Sequence, residues 1–229
     1  NRIIRNYQTT FPDDLFTTLG VKTPSINEYE RFKPEELLEV DDIVAMIEKS
    51  PNNRDKALIA TLFDGGFRIH ELLNMKIKDV VSIGKGFRVH VDKSCKTGER
   101  DVALKESAVF LKDWLNDHPF KNNSEHYLFI SLAYNHFGRP LKYTSSLTII
   151  KNSMKRANVD KPKVTHIFRH SNTTRLSDKM SREDLRIRNG WSKGSMMIER
   201  YNHKSSTDLA NRQLGIKKKK RRYLNFSVH

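Results

Sequence analysis

A phosphodiester can be severed without a metal ion if a protein supplies a nucleophile, cations to neutralise the added charge on phosphorus, and an acid to protonate the departing oxygen. The chain holds candidates for each part. Arg68 and Glu71 in Gly66-Phe67-Arg68-Ile69-His70-Glu71-Leu72-Leu73 lie one turn apart at a helix start, close enough for the carboxylate to orient the guanidinium. A surface Arg–Glu pair has the same appearance. His166-Ile167-Phe168-Arg169 sets a His and an Arg three residues apart, so both leave one helix face while Ile167 and Phe168 turn to the core. A phosphate fits between such groups, although this spacing also arises by chance in basic proteins. Lys96, in Lys96-Thr97-Gly98-Glu99-Arg100, falls in an expected turn between strands, from which a long cation can swing into a cleft. A hairpin with solvated charges reads identically. Lys93 lies close by and has the same charge and reach. Tyr201 follows Trp191 on a short polar-flanked helix and precedes Asn202-His203, and it is one tyrosine among seven.

Elements must hold these groups in place. Residues 1–34, with Pro12, Pro24 and Pro34, show no sustained periodicity and suit a linker or the remnant of an N-terminal domain. The sequence opens on Asn1 and already reads as mid-protein, so a preceding domain is expected. From Leu37 to Ile47 and from Ala57 to Phe63, apolar residues recur at helical spacing, with Pro51-Asn52-Asn53 between them. A short helix is expected at Ile69–Met75. Val80–Ile83, Phe87–Val91 and Asp101–Leu104, separated by glycines, read as a small antiparallel sheet. Helical patterns resume at Ala108–Leu115, Ser145–Ala157, His166–Leu176, Arg182–Asn189, Met196–Tyr201 and Thr207–Leu214. The expected fold is mainly α with a small antiparallel β-sheet, an α+β catalytic domain over residues 35–215, followed by a basic C-terminal tail, 216–229.

Lys and Arg total 42 against 27 Asp and Glu, a net charge of +15. The run Lys217 to Arg222 contributes six of these, leaving +9 spread over the rest. A surplus of this size points to a polyanion, with nucleic acid the leading partner. The single cysteine, Cys95, excludes an internal disulfide and a cysteine-rich zinc site, and it predicts a reducing, cytoplasmic setting. No apolar stretch approaches the roughly 20 residues that span a bilayer, so no membrane role is expected.

Taken in order, Arg68, Lys96, His166, Arg169, Trp191 and Tyr201 resemble the catalytic set of the tyrosine recombinase, or phage-integrase, family. The matching stretches are residues 63–76, 96–104 and 165–171, then Asn189-Gly190-Trp191-Ser192 leading to Glu199-Arg200-Tyr201-Asn202-His203. The resemblance implies that Arg68 and Arg169 clamp the non-bridging oxygens of the scissile phosphate and that Lys96 protonates the leaving 5′-oxygen. It further implies that His166 assists proton movement, that Trp191 stands where relatives carry His or Trp, and that Glu71 braces the first Arg. Tyr201 would then form a 3′-phosphotyrosyl link that conserves the bond energy, with no metal, cofactor or ATP. The implied partners are double-stranded DNA and further copies of the chain, as a dimer or tetramer on DNA. The interval from Trp191 to Tyr201 is one residue longer than in many bacterial members and, with the Gly-Trp-Ser wording, implies an archaeal or archaeal-virus type. Two other readings remain open here: a nicking-closing enzyme like type IB topoisomerases, and a basic DNA-binding module without catalysis.

Overall fold

The computed structural model describes residues 32–92, 98–193, 195 and 214. The chain divides into two compact units, 1–35 and 36–229. The second unit holds seven α-helices and one three-stranded sheet among the described residues.

Helix α1 (Val40–Glu48) begins where the Asp42 carboxylate accepts the Glu39 backbone N–H at 2.8 Å, and its buried Val40, Ile43, Met46 and Ile47 form one stripe. Helix α2 (Asn53–Gly65) is capped by Asn52, whose side chain accepts the Asp55 N–H at 2.9 Å. It is buried on nearly every side, with Leu58, Ile59, Ala60, Leu62 and Phe63 at 0–1% exposure, and so forms the axis of the core. Each fully buried Leu, Ile or Phe among them contributes about 1.5–3 kcal/mol. Gly66 ends the helix at φ +61°, and a Cβ there would lie 2.6 Å from Asn172 Oδ1. This turn requires glycine. Helix α3 (Ile69–Asn74) then starts at Arg68, at the mouth of the site.

Strands β1 (Val80–Ile83), β2 (Gly86–Val91) and β3 (Arg100–Leu104) pair antiparallel in that order, with Val89 opposite Val80 and Val102. In β3 the buried positions alternate as Arg100, Val102 and Leu104, so an arginine shares the core face with two aliphatic residues. Helix α4 (Ala108–Asp117) packs on α2. An irregular stretch, 118–142, then closes against the domain. Leu128 donates to the Met75 carbonyl at 2.8 Å, Trp114 Nε1 donates to the Leu128 carbonyl at 2.8 Å, and Ile130 bridges to Pro140. The sequence pattern does not reveal these links, because irregular backbone paired over long range leaves no period to read.

Helix α5 (Tyr143–Arg156) lies on α1, where Ser153 Oγ donates to the Met46 carbonyl at 2.8 Å. Helix α6 (His166–Leu176) packs on α2, and Asn172 Nδ2 donates to the Asp64 carbonyl at 3.0 Å. Helix α7 (Arg182–Asn189) is capped by Ser181, rests on β3 and ends at Gly190 with φ +62°. The helices expected at Met196–Tyr201 and Thr207–Leu214 lie outside the described residues, apart from an exposed turn at Leu214. No helix among the described residues is long and apolar enough to cross a membrane.

Candidate active site

The start of α3, the first turns of α6 and the last turn of α7 meet around the end of α2. Gly66 turns the chain so that Arg68 stands at the start of α3, with its side chain one-third exposed. Glu71, buried one turn later, receives the Arg68 backbone N–H on Oε2 at 3.0 Å and Arg68 Nη1 on Oε1 at 3.3 Å. The carboxylate therefore fixes both the backbone and the side chain of Arg68.

From α6, Arg169 reaches the same region. Its Nη1 donates to the Gly66 carbonyl at 2.8 Å and its Nη2 to the Asn189 carbonyl at 2.6 Å. The two carbonyls set the plane of the guanidinium and join the ends of α2 and α7 through it. Spacing alone places His166 and Arg169 on one helix face, yet the two side chains end differently: His166 opens to solvent while Arg169 is 2% exposed. Inward carbonyls at the ends of α2 and α7 draw the long side chain into the protein. Ile167 and Phe168 are fully buried, as their spacing predicts.

His166 lies near both cations. Burial against the protein, then the charge of Arg169, then that of Arg68, lower its pKa from 6.5 to about 4, with solvent at its outer edge screening the charges. Its imidazole is thus neutral at pH 7, able to accept a proton at one nitrogen and donate at the other. The ring stands 4.6 Å from that of His170, edge to face.

Trp191 is 5% exposed and packs with Leu185, Leu176 and Met180. Its backbone is held at both ends by Arg186, whose carbonyl accepts the Trp191 N–H at 3.0 Å and whose Nη1 donates to the Trp191 carbonyl at 2.8 Å. Lys96 and Tyr201 lie outside the described residues. The structure therefore gathers Arg68, Glu71, His166 and Arg169, with Trp191 in the segment that leaves α7.

Two residues that the sequence motifs do not single out belong to this framework. Arg100, with a side chain 3% exposed, meets Glu71 at 2.8 Å and donates through Nε to the Arg188 carbonyl at 2.8 Å. Asp64 Oδ2 accepts the N–H groups of Lys105 and Ser107, both at 2.9 Å, tying the end of β3 to α2. The legible signal for Arg100 was its place in phase with Val102 and Leu104, which puts a cation on a core-facing register. Beside Arg68 a cleft of about 530 Å³ opens, lined also by His70, Lys76, Lys78 and His90. Among the described residues, no group of three His, Cys, Asp or Glu converges as metal ligands do.

Known proteins share this fold. Transposase A from transposon Tn554 of Staphylococcus aureus (strain N315) is 27% identical over 166 residues, covering 66% of this chain and 40% of its own length. The tyrosine recombinase XerD of Staphylococcus haemolyticus (strain JCSC1435) is 30% identical over 168 residues, covering 69% of this chain and 53% of its own. The chain thus spans about half the length of the curated relatives it matches, or less. Among solved structures, XerA recombinase superposes with a TM-score of 0.62 at 22% identity, over 90% of this chain and 72% of that one. The Tn1549 transposon integrase in complex with circular intermediate DNA gives 0.61 at 18% identity, over 81% and 66%. At these identities the likeness speaks for the fold, a tyrosine recombinase catalytic domain. The matched relatives with stated sources are bacterial, so the expected archaeal or archaeal-virus type finds no support. A single residue of extra spacing before Tyr201 is too small a feature to assign a lineage. The family model described as the phage integrase family matches residues 36–208, which contain every site residue named above, and the chain belongs to that family.

Proposed function

We propose that the chain is the catalytic part of a site-specific DNA recombinase or integrase that cleaves and rejoins duplex DNA through a 3′-phosphotyrosyl intermediate. The observation that carries this reading is the meeting of Arg68, Arg169 and a neutral His166 at one edge of the domain, two of them cations oriented by carboxylate or carbonyl groups. Such an arrangement suits an anion that gains charge in its transition state. The names of similar proteins, recombinases and a transposon integrase in complex with DNA, support the same substrate class.

In this mechanism the Tyr201 phenolic oxygen attacks phosphorus, the bond to the 5′-oxygen breaks, and the 3′-phosphate becomes joined to the protein. His166 accepts the phenolic proton, directly or through water, and Lys96 supplies a proton to the 5′-oxygen. Arg68 meets the phosphate at the surface. Arg169 lies behind it, so direct contact with an oxygen requires its cover to shift. Attack by a second strand's 5′-hydroxyl reverses the step, and the phosphotyrosyl bond keeps the energy that rejoining needs. Exchange of two strands requires two or more copies on the DNA, a dimer or tetramer acting in the cytoplasm. An archaeal origin is no part of this reading.

A nicked suicide substrate carrying the recombination site of the mobile element or chromosome of origin tests it. Mass spectrometry of the trapped adduct should find DNA on Tyr201, with equal yield in excess chelator. DNA on another residue, or cleavage that stops without a divalent metal, contradicts the mechanism.

A further inference from the structure

We propose that Arg100 is a positioning residue that aligns both phosphate-clamping arginines at once, an inference that rests on the recombinase reading above. Arg100 begins β3, yet its side chain is 3% exposed and, among the described residues, touches two other elements. Toward α3, Nη2 meets Glu71 Oε2 at 2.8 Å and Nη1 meets Oε1 at 3.4 Å. Toward α7, Nε donates to the Arg188 carbonyl at 2.8 Å. Glu71 is the carboxylate that holds Arg68, and the carbonyl of Asn189, next after Arg188, is the one gripped by Arg169. One buried guanidinium therefore connects the supports of both clamp arms.

The charges explain why an arginine is required. Glu71 is buried and pairs with two arginines, so the group of three carries +1. With Arg100 opposite, the carboxylate is neutralised from the inside, and Arg68 keeps a long 3.3 Å contact with its side chain one-third exposed. Without Arg100, Glu71 loses a buried partner and more of its carboxylate charge falls on Arg68. That would pull its guanidinium inward and weaken its field at a bound phosphate. Loss of the Nε bond would at the same time loosen the last turn of α7 and with it the Asn189 carbonyl. A lysine restores charge but cannot span both partners with a rigid fork.

A structural role alone would lower stability and leave the chemistry of the folded fraction unchanged. The discriminating measurement is the single-turnover rate of adduct formation by R100M and R100K, with DNA saturating and folding checked by circular dichroism. Each variant is given a suicide substrate with an ordinary scissile phosphate and one with a methylphosphonate there, which lacks one charged oxygen. Displacement of a clamp by about 1 Å costs about 100-fold, so R100M should lose about that factor on the phosphodiester and much less on the methylphosphonate. DNA affinity should stay within a few-fold. R100K, the variant to use if R100M does not fold, should show a smaller loss with the same dependence on substrate. Equal losses on the two substrates, or no loss, overturn the proposal. Wild-type protein that forms no adduct on either substrate overturns the recombinase reading itself, a separate result.

Discussion

The neutral state of His166 is the most local consequence of this arrangement. Its pKa in the folded chain, about 4, is lower than in an unfolded chain, so the unfolded state binds the extra proton between those values. Stability tied to this group is complete above pH 6.5 and declines as pH falls toward 4. An NMR titration of the imidazole should show a midpoint well below 6.5, and Arg68→Met should raise it by removing one of the two cations. A midpoint at or above 6.5 would separate His166 from the clamp. At this scale the sequence was informative in part. Arg68, Glu71, His166 and Arg169 could be named because each falls in a helical stretch whose spacing fixes direction. The inward turn of Arg169 could not, because carbonyls at Gly66 and Asn189, 103 and 20 residues away, draw it in.

Elements carry the site by their ends. The C-termini of α2 and α7, both closed by glycines with positive φ, present the carbonyls that hold Arg169, while β3 supplies Arg100. Asp64, in the last turn of α2, binds the chain just after β3 by accepting the Lys105 and Ser107 N–H groups and the Ser107 hydroxyl. Replacement by Ala would leave these donors without that acceptor, at about 1–3 kcal/mol for each one that stays buried. Asp64→Ala should therefore lower the urea midpoint clearly, and an unchanged midpoint would show that the loop re-forms its bonds elsewhere. Strand β1 and helices α6 and α7 follow the sequence pattern to the residue, and α7 is bracketed by the Ser181 cap and Gly190. Helix α2 extends beyond its apolar run to Asn53, because the Asn52 cap rather than hydrophobicity sets its start. The stretch 118–142 was illegible, for its hydrogen bonds reach to Met75 and across to Pro140.

For the whole molecule, the recombinase reading makes charge the factor that would govern how DNA is met. A net +15, six charges of it in Lys217–Arg222, predicts binding dominated by release of counterions from phosphates. Affinity for a duplex should fall by about 10³ or more between 50 and 200 mM salt if six or more phosphates are contacted. Removing Lys217–Arg222 should flatten the logarithmic slope while leaving adduct chemistry on saturating DNA intact. A slope near zero would contradict a phosphate-reading surface. Recombination between paired sites, as opposed to relaxation of supercoiled DNA alone, would separate an integrase from a nicking-closing enzyme.

In the proposed mechanism Arg68, His166 and Arg169 form a site for a phosphate that Tyr201 attacks. Comparison of wild type with Tyr201→Phe on a suicide substrate tests it most directly, scoring covalent adduct and DNA affinity together. The wild type should form the adduct and the variant none, at unchanged affinity. Adduct of undiminished yield from Tyr201→Phe would contradict it.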